Sequence, residues 1–170
     1  MLIRQEKPED INKIRSLNVL AFGQFLEAII VDKLRANCAE VLSLVAVADE
    51  EIAGHILFSP VAIEGPHGII KGMGLAPMAV LPDRQRQGIG AQLIQRGIEE
   101  LRKVSCPFII VLGHHEYYNR FGFERASTYG ITCQWEGIPD EAFMILWLDK
   151  TMAGQVSGLA KYRDEFNEAV

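Results

Sequence analysis

Val80-Leu81-Pro82-Asp83-Arg84-Gln85-Arg86-Gln87-Gly88-Ile89-Gly90 decides the fold, because it joins an apolar segment to a periodic one. Upstream, residues 74–80 are apolar and short enough for a buried strand, which Pro82 and Asp83 end. Downstream, apolar and small residues recur at spacings of three and four, as in a helix that lies on a sheet. These are Gly90, Leu93, Ile94, Gly97, Ile98 and Leu101. The pattern predicts a helix that continues to about residue 103.

The junction between this strand and this helix suits a phosphate group. Amides in the first turn of a helix have no partner within the helix, and the aligned peptide dipoles leave partial positive charge there. Gly88 and Gly90 remove side chains that would keep a phosphate away, and Arg84 and Arg86 add positive charge. The loop lacks the Gly-Lys-Ser or Gly-Lys-Thr ending of nucleotide triphosphatases and the first glycine of the dinucleotide fingerprint.

Gln85-x-x-Gly88-x-Gly90 resembles the acyl-coenzyme A signature of the GNAT acetyltransferase superfamily. Val80-x-Pro82 is similar to the strand end that precedes this signature, and residues 117–123, Tyr-Tyr-Asn-Arg-Phe-Gly-Phe, are similar to the family's late Tyr-x-x-x-Gly-Phe element. Small acetyltransferases of this superfamily carry a Tyr-Tyr-x-Arg-Phe-Gly-Phe run followed by Pro-Asp-Glu-Ala-Phe-Met, here residues 139–144. The resemblance covers residues 1 to about 149.

The resemblance implies an α+β, layered single domain. We expect a central mixed, mostly antiparallel twisted sheet of about six to seven strands flanked by helices. The sheet would be splayed between the strand ending at Val80 and the strand ending at Leu112. Residues 1–149 would form the acetyltransferase domain, and residues 150–170 a C-terminal extension packed on the domain or at a subunit contact.

Hydrophobic patterning predicts the remaining elements. The predicted strands are residues 2–5, 43–48, 52–63, a part of 69–80, 107–112 and 143–148; helices are predicted from Pro8 and over 25–37, and a short helix or turn over 113–121. This irregular order favours a mixed sheet over a doubly wound one. In the tail, Leu159, Tyr162, Phe166 and Val170 recur at a helix-like spacing.

The resemblance implies transfer of an acetyl group from acetyl-CoA, as cosubstrate, to an amine of a small molecule or a protein. The pantetheine arm would pair with backbone groups of residues 78–80; Pro77 beside them is compatible with a bulge, or with an edge or kink that binds nothing. The predicted coenzyme-binding residues are Met78, Ala79, Val80, Gln85, Arg86, Gln87, Gly88, Ile89, Gly90, Ala91 and Asn119. The alternative for Asn119 is a turn residue.

Tyr118 matches the tyrosine of the Tyr-x-x-x-Gly-Phe element, and the resemblance therefore implies that it is the candidate general acid. Acetyl transfer leaves a thiolate that needs a proton, and a tyrosine with a pKa near 10 supplies one without being ionised itself. Tyr117 matches the position that usually packs inward, and the two roles exchange if the helix is shifted by one residue. The structural alternative is that both rings anchor the core.

The general base is left open by the sequence. Its candidates are His114, His115, Glu116, Glu64 and His67, each of which is otherwise an exposed loop residue. We predict no metal site, because adjacent residues on a helix point apart and no distant third ligand is evident. The acceptor site is expected around residues 22–24, the first two helices, residues 64–68 and the C-terminal region.

Two other functions remain open at this stage. A non-catalytic acyl-CoA sensor or interaction module would need the phosphate loop and not Tyr118. A phosphate-binding regulator of nucleotides would prefer ATP to coenzyme A.

Composition limits the class of protein. The 170 residues are 49% hydrophobic and 23% charged, with a net charge of −5, which argues against a strongly basic nucleic-acid surface. No stretch is long enough to span a membrane and no signal peptide is apparent, so we expect a cytoplasmic monomer or homodimer. Cys38, Cys106 and Cys133 have neither disulfide-framework nor zinc-site spacing.

Overall fold

The computed structural model describes residues 1–168, which fall into two compact units. The first unit contains residues 1–59, 76–100 and the described residues from 165 on. The second contains residues 60–75 and 101–164. Two long strands run through both units, and each unit has its own sheet pairings and its own buried side chains. The predicted boundary at residue 149 stays a prediction.

Within residues 1–168 the chain forms nine strands and four α-helices. The strands are β1 (Leu2–Gln5), β2 (Leu42–Ala48), β3 (Glu51–Gly65), β4 (Gly68–Val80), β5 (Phe108–Leu112), β6 (Glu124–Arg125), β7 (Ile131–Cys133), β8 (Phe143–Trp147) and β9 (Gly158–Lys161). The helices are α1 (Ile11–Phe22), α2 (Leu26–Asn37), α3 (Ile89–Lys103) and α4 (His115–Tyr118).

The strand order of the sheet is β1-β2-β3-β4-β5-β8-β6, and β9 pairs with β3 and β7. The β4–β5 and β7–β9 pairs are parallel, whereas the β1–β2, β2–β3, β5–β8, β6–β8 and β3–β9 pairs are antiparallel. The predicted α+β fold with a mixed, mostly antiparallel sheet is therefore confirmed. The short strands β6, β7 and β9 were not predicted from the sequence.

In the first unit, two glycines let α3 lie close to β3. A Cβ atom added to Gly54 would be 2.8 Å from Cγ2 of Ile89 and 3.0 Å from Cδ1 of Leu93. A Cβ atom added to Gly97 would be 2.4 Å from the ring of Phe58, which is fully buried. Because packed interiors leave no room for such overlaps, these glycines set the distance between the helix and the strand.

A buried polar cluster connects α1 to the first unit's strands. The imidazole of His55 lies with Nε2 2.8 Å from Oγ of Ser43 and with Nδ1 3.4 Å from Nδ2 of Asn18. Asn18 also donates to the carbonyl of Ile14 at 3.0 Å. His55 is fully buried, and burial, followed by the positive charge of Arg35, lowers its pKa from 6.5 to about 3. The imidazole is therefore neutral at physiological pH.

In the second unit, β5 is the central strand, with four of its five residues buried. It pairs with β4 from Met73↔Ile109 to Leu75↔Val111, and β4 continues to Val80 after the last of these pairs. This pairing therefore ends before β4 does, and the predicted splay between the two strands stays a prediction. The other edge of β5 pairs with β8 along its whole length.

The C-terminal segment differs from the helix that its spacing indicates. Leu159 lies in strand β9, and Phe166 lies in the 3₁₀ helix Asp164–Glu168. Val170 is outside the described residues. In this short segment the sheet edge offered by β3 and β7 determines the structure, because backbone pairing does not depend on the spacing of apolar residues.

The buried His55 predicts a loss of stability in mild acid. The pKa of His55 is lower in the folded chain than in the unfolded chain, so the unfolded state binds more protons around and below pH 6.5. The free energy of unfolding therefore decreases as the pH is lowered. Between about pH 7.5 and about pH 5 this linkage amounts to about 2 kcal/mol. Urea unfolding of the wild type and of His55→Gln at both pH values measures it.

We expect the His55→Gln variant to lose most of this pH dependence, whatever its absolute stability. His67→Gln, which removes an exposed histidine, is the matched control and should retain it. Equal pH dependence in the wild type and His55→Gln would show that the imidazole is not buried in its neutral form.

Candidate active site

The predicted phosphate loop lies entirely in the first unit, between β4 and α3. A short 3₁₀ helix, Pro82–Arg84, follows β4, and the N–H of Leu81 donates to the carbonyl of Ala53 in β3 at 2.9 Å. The side chain of Gln85 donates to the carbonyl of Val80 at 3.3 Å. The side chain of Gln87 donates to the carbonyl of Asp83 at 3.4 Å. These contacts hold the loop against the end of the strand.

The first amides of α3 have no acceptor within the helix. The helical ladder begins with the N–H of Gln92, which donates to the carbonyl of Gly88 at 3.1 Å. The amides of Ile89, Gly90 and Ala91 precede that bond, and therefore belong to the unpaired set at a helix N-terminus. Together with the helix dipole they form a positive site for an anion.

Gly88 has a backbone that favours glycine and open space in front of it. Its φ is +83°, and a Cβ atom built there would have no heavy atom within 4 Å. Arg86 has a φ of 62°, which is uncommon for a residue with a side chain, and its side chain is exposed. The loop therefore presents its backbone and one arginine to solvent.

The structure corrects the expectation for Arg84. Its guanidinium lies 3.0 Å from a carboxylate oxygen of Asp49 and 3.7 Å from one of Glu51, at the turn between β2 and β3. Arg84 therefore serves to attach the loop to that turn. Arg86 makes no ion pair with any residue in the described part of the chain, and is the loop cation available to a ligand.

The other predicted coenzyme-binding residues of β4 lie just upstream in the same unit. Met78 and Val80 are partly exposed, whereas Ala79 is buried at 3% exposure. Residues 78–91 are thus one continuous group, running from the strand end through the loop to the first turn of α3. Asn119 lies in the second unit, where it is exposed and directly follows α4.

Tyr118, also in the second unit, is held by close packing. A Cβ atom added to Gly113 would be 2.4 Å from Cε2 of Tyr118, so the ring lies directly over this glycine. The rings of Tyr117 and Phe123 meet it edge to face, with centroids at 5.1 Å and 5.6 Å. Its hydroxyl forms no hydrogen bond to another residue within 1–168.

Burial raises the pKa of Tyr118 well above its usual value of 10, and the neighbouring Tyr117 adds to the effect. The phenol therefore remains protonated at neutral pH and can donate a proton. Contrary to the expectation that Tyr117 packs inward, Tyr118 is the more buried of the two. Tyr117 is half-buried, with the guanidinium of Arg120 4.7 Å above its ring centroid.

The candidate bases have different surroundings. Glu64 forms an ion pair with Lys161 of β9 at 2.9 Å, while His67, His114 and Glu116 are exposed. His115, at the start of α4, has a buried Nδ1 with no hydrogen-bond partner in the described chain. The structure therefore distinguishes His115 from the other candidates, although its sequence neighbours gave no reason to prefer it.

Tyr162 was not singled out as a site residue by the sequence. Its backbone N–H donates to Oε1 of Gln134 at 2.5 Å, and its ring lies 2.9 Å from the position of a Cβ on Gly74. Burial mainly raises its pKa, and both Cys133 and Tyr118 are close enough to contribute. The C-terminal segment thus contributes a second buried phenol to this unit, for which the sequence gives no local signal.

Neither a metal site nor a membrane-spanning helix is found among residues 1–168. No group of three or more His, Cys, Asp or Glu side chains is suitably placed to hold a metal ion. Among those residues, no helix has both the length and the apolar character needed to cross a membrane.

Comparison with known proteins matches residues 11–123 of the chain to the acetyltransferase (GNAT) family. The chain belongs to the GNAT family. The prediction that the chain is an acyltransferase is confirmed by this family match. The family resemblance that the phosphate loop and residues 117–123 predicted therefore holds for most of the chain.

The relatives extend this likeness to nearly the whole length. The "Uncharacterized N-acetyltransferase YhbS" of Escherichia coli K12 is 35% identical over 168 residues, which are 98% of this chain and 99% of YhbS. The crystal structure of Escherichia coli YhbS in complex with CoA has a TM-score of 0.90 at 34% identity, over 98% of this chain and 91% of that one. A GNAT acetyltransferase from Brucella melitensis in complex with acetyl-CoA has a TM-score of 0.79 at 36% identity, over 97% of each chain.

The packing of Tyr118 on Gly113 predicts that an added methyl group is not tolerated. Gly113→Ala should lower the free energy of unfolding by about 1–3 kcal/mol, because the ring must move or leave its rotamer. In a Tyr118→Ala background the same substitution should cost much less. Urea unfolding of the wild type, both single variants and the double variant measures the coupling. A cost for Gly113→Ala that is unchanged without the ring would contradict this packing.

Proposed function

We propose that the chain is an acetyl-CoA-dependent N-acetyltransferase that acts on an amine of a small molecule or a protein. The observation that carries this proposal is the start of α3, where three amides lack helical acceptors and Gly88 leaves open space. The complexes of the YhbS and Brucella melitensis relatives with CoA and acetyl-CoA support it. The proposed coenzyme-binding residues are those predicted from the sequence, namely residues 78–80, residues 85–91 and Asn119.

In this proposal the loop binds the diphosphate of the coenzyme. The amides of Ile89, Gly90 and Ala91 donate to its oxygens, and the guanidinium of Arg86 adds charge from the surface. Backbone groups of residues 78–80 pair with the amides of the pantetheine arm in the manner of an added strand. These contacts hold coenzyme A in place. The thioester is contacted by other residues.

Tyr118 acts as the general acid. The acceptor amine loses a proton to a base or to water, and its nitrogen then attacks the thioester carbon directly. As the carbon–sulfur bond breaks, Tyr118 donates its proton to the departing sulfur, and the second proton that the nitrogen loses as the amide forms restores the phenol, so that the products are an acetylated amine and the free thiol. The phenol is protonated at neutral pH, so its proton is present when the sulfur departs. We assign the base to no residue.

Several finer predictions belong to the same proposal. Four statements stay predictions from the sequence. They are membership of the small acetyltransferases with a Tyr-Tyr-x-Arg-Phe-Gly-Phe run, cytoplasmic residence, a monomeric or homodimeric state, and the absence of metal and nucleic-acid partners.

Gly88→Ala tests the loop. The added methyl group would occupy the space in front of the first-turn amides, so the dissociation constant of CoA should rise about tenfold or more, as expected when a charged hydrogen bond is lost. Gly137→Ala is the matched control, because Gly137 has a φ of +77° and equally open surroundings. Titration calorimetry with CoA measures both. Equal weakening in the two variants would indicate a general backbone effect and not a ligand contact.

Tyr118→Phe tests the acid. The variant should bind CoA as the wild type does and lose about a hundredfold or more in kcat, within the range of general acid catalysis. Tyr117→Phe removes the neighbouring hydroxyl and should stay near the wild-type rate. Release of free thiol from acetyl-CoA with a panel of amines measures the rate. A wild type that binds acetyl-CoA and acetylates no amine would favour the acyl-CoA sensor instead.

A further inference from the structure

Two carboxylates from the turn between β2 and β3 meet the loop that precedes α3. The guanidinium of Arg84 lies with Nη1 3.0 Å from Oδ2 of Asp49 and with Nη2 3.7 Å from Oε2 of Glu51. Two nitrogens of one guanidinium thus face two different side chains. Arg84 is the more enclosed partner, because its side chain is 25% exposed, whereas those of Asp49 and Glu51 are 81% and 58% exposed. All three residues belong to the first unit.

The turn that carries these carboxylates has a restricted backbone. Asp49 and Glu50 lie between the two strands, and the pair Ala48↔Glu51 closes the turn. The φ values of Asp49 and Glu50 are 52° and 62°, left-handed values that tight two-residue hairpin turns require and that residues with a side chain adopt infrequently. The turn therefore presents the carboxylates of Asp49 and Glu51 from a defined position at the end of the hairpin.

The backbone of the loop is attached to the same hairpin. The N–H of Leu81 donates to the carbonyl of Ala53 in β3 at 2.9 Å, and the N–H of Arg84 donates to the carbonyl of Leu81 at 2.8 Å. The ion pairs of Arg84 add a side-chain attachment between this point and the start of α3 at Ile89. A loop that is held in this way has fewer alternative conformations to lose when a ligand binds, and such preorganisation raises affinity.

The charge of the two carboxylates would have the opposite effect on an anionic ligand. Asp49 and Glu51 carry two negative charges against the one positive charge of Arg84, and like charges near a diphosphate weaken its binding. If the carboxylates acted only through this charge, their removal would strengthen the binding of coenzyme A. It would also release the guanidinium of Arg84, which could then meet a phosphate.

We propose that Asp49 and Glu51 strengthen the binding of the coenzyme's diphosphate, although they have the same sign of charge. They do so by holding Arg84, and with it the loop, in the position that binds the ligand. Asp49, Glu51 and Arg84 are positioning residues, and none of them touches the coenzyme. This role rests on the proposed function, since it concerns the coenzyme site at the start of α3. It connects that site to a turn that carries no sequence motif.

Asp49→Asn and Glu51→Gln test this role, with CoA as the probe and titration calorimetry as the readout. Each substitution removes one negative charge with little change in shape. The dissociation constant of CoA should rise about twofold to fivefold in each variant, the range expected for the loss of an exposed ion pair. Glu50→Gln is the matched control, because Glu50 is exposed in the same turn and pairs with no residue within 1–168. This variant should bind CoA as tightly as the wild type or slightly more tightly.

The Arg84→Gln background separates positioning from a general loss of structure. Without the guanidinium, Asp49 holds nothing, so Asp49→Asn should no longer weaken CoA binding and should strengthen it slightly by removing a like charge. Hydrogen exchange of the ligand-free chain gives a second readout. The amide of Arg84 should exchange about twofold to fivefold faster in Asp49→Asn than in Glu50→Gln, because the loop opens more often.

Unchanged or tighter CoA binding by both Asp49→Asn and Glu51→Gln would overturn the positioning role. An equal loss of affinity in Glu50→Gln, or an undiminished loss for Asp49→Asn in the Arg84→Gln background, would also overturn it. In these cases the wild type still binds CoA, and the proposed coenzyme site stands. A wild type that gives no heat with CoA would overturn the proposed coenzyme site and the positioning role together, so the two failures are distinguishable.

Discussion

The position of the start of α3, at the end of the short loop after β4, is the constraint on which the proposed chemistry depends. Gly54 and Gly97 let the helix lie close to β3, and the loop that precedes it is attached by Arg84 to the carboxylates of Asp49 and Glu51. The amides of the first turn are therefore held in a fixed position, and they have no hydrogen-bond acceptor within the helix. A helix that lay farther from β3, or that began later in the sequence, would have the same dipole, but its first-turn amides would not lie at the end of β4.

Close packing on glycine also explains the properties of Tyr118. Gly113 gives the ring a place where a side chain would overlap it, and the surrounding aromatic rings exclude water. The exclusion of water disfavours the phenolate and raises the pKa of the phenol. The same contact therefore fixes the position of the ring and keeps the phenol protonated at neutral pH.

The sequence predicted the elements that have a strong local signal. Strand β5, helix α3 and the loop between β4 and α3 follow from a buried apolar run, from periodicity and from Gly88 with its neighbours. Strands β6, β7 and β9 are two to four residues long, and carry no period of their own. The ion pairs of Arg84, the cluster around His55 and the position of Tyr162 depend on residues distant in the chain. Such contacts are set by tertiary packing, which local patterns do not encode.

The most direct test of the account is a titration of the ¹⁵N-labelled chain with CoA and, separately, with pantetheine, which lacks the diphosphate. If the unpaired amides hold the diphosphate, the backbone resonances of Ile89, Gly90 and Ala91 shift strongly with CoA and remain nearly unchanged with pantetheine. Equal shifts with both compounds, or no response of these three amides to CoA, would contradict the account.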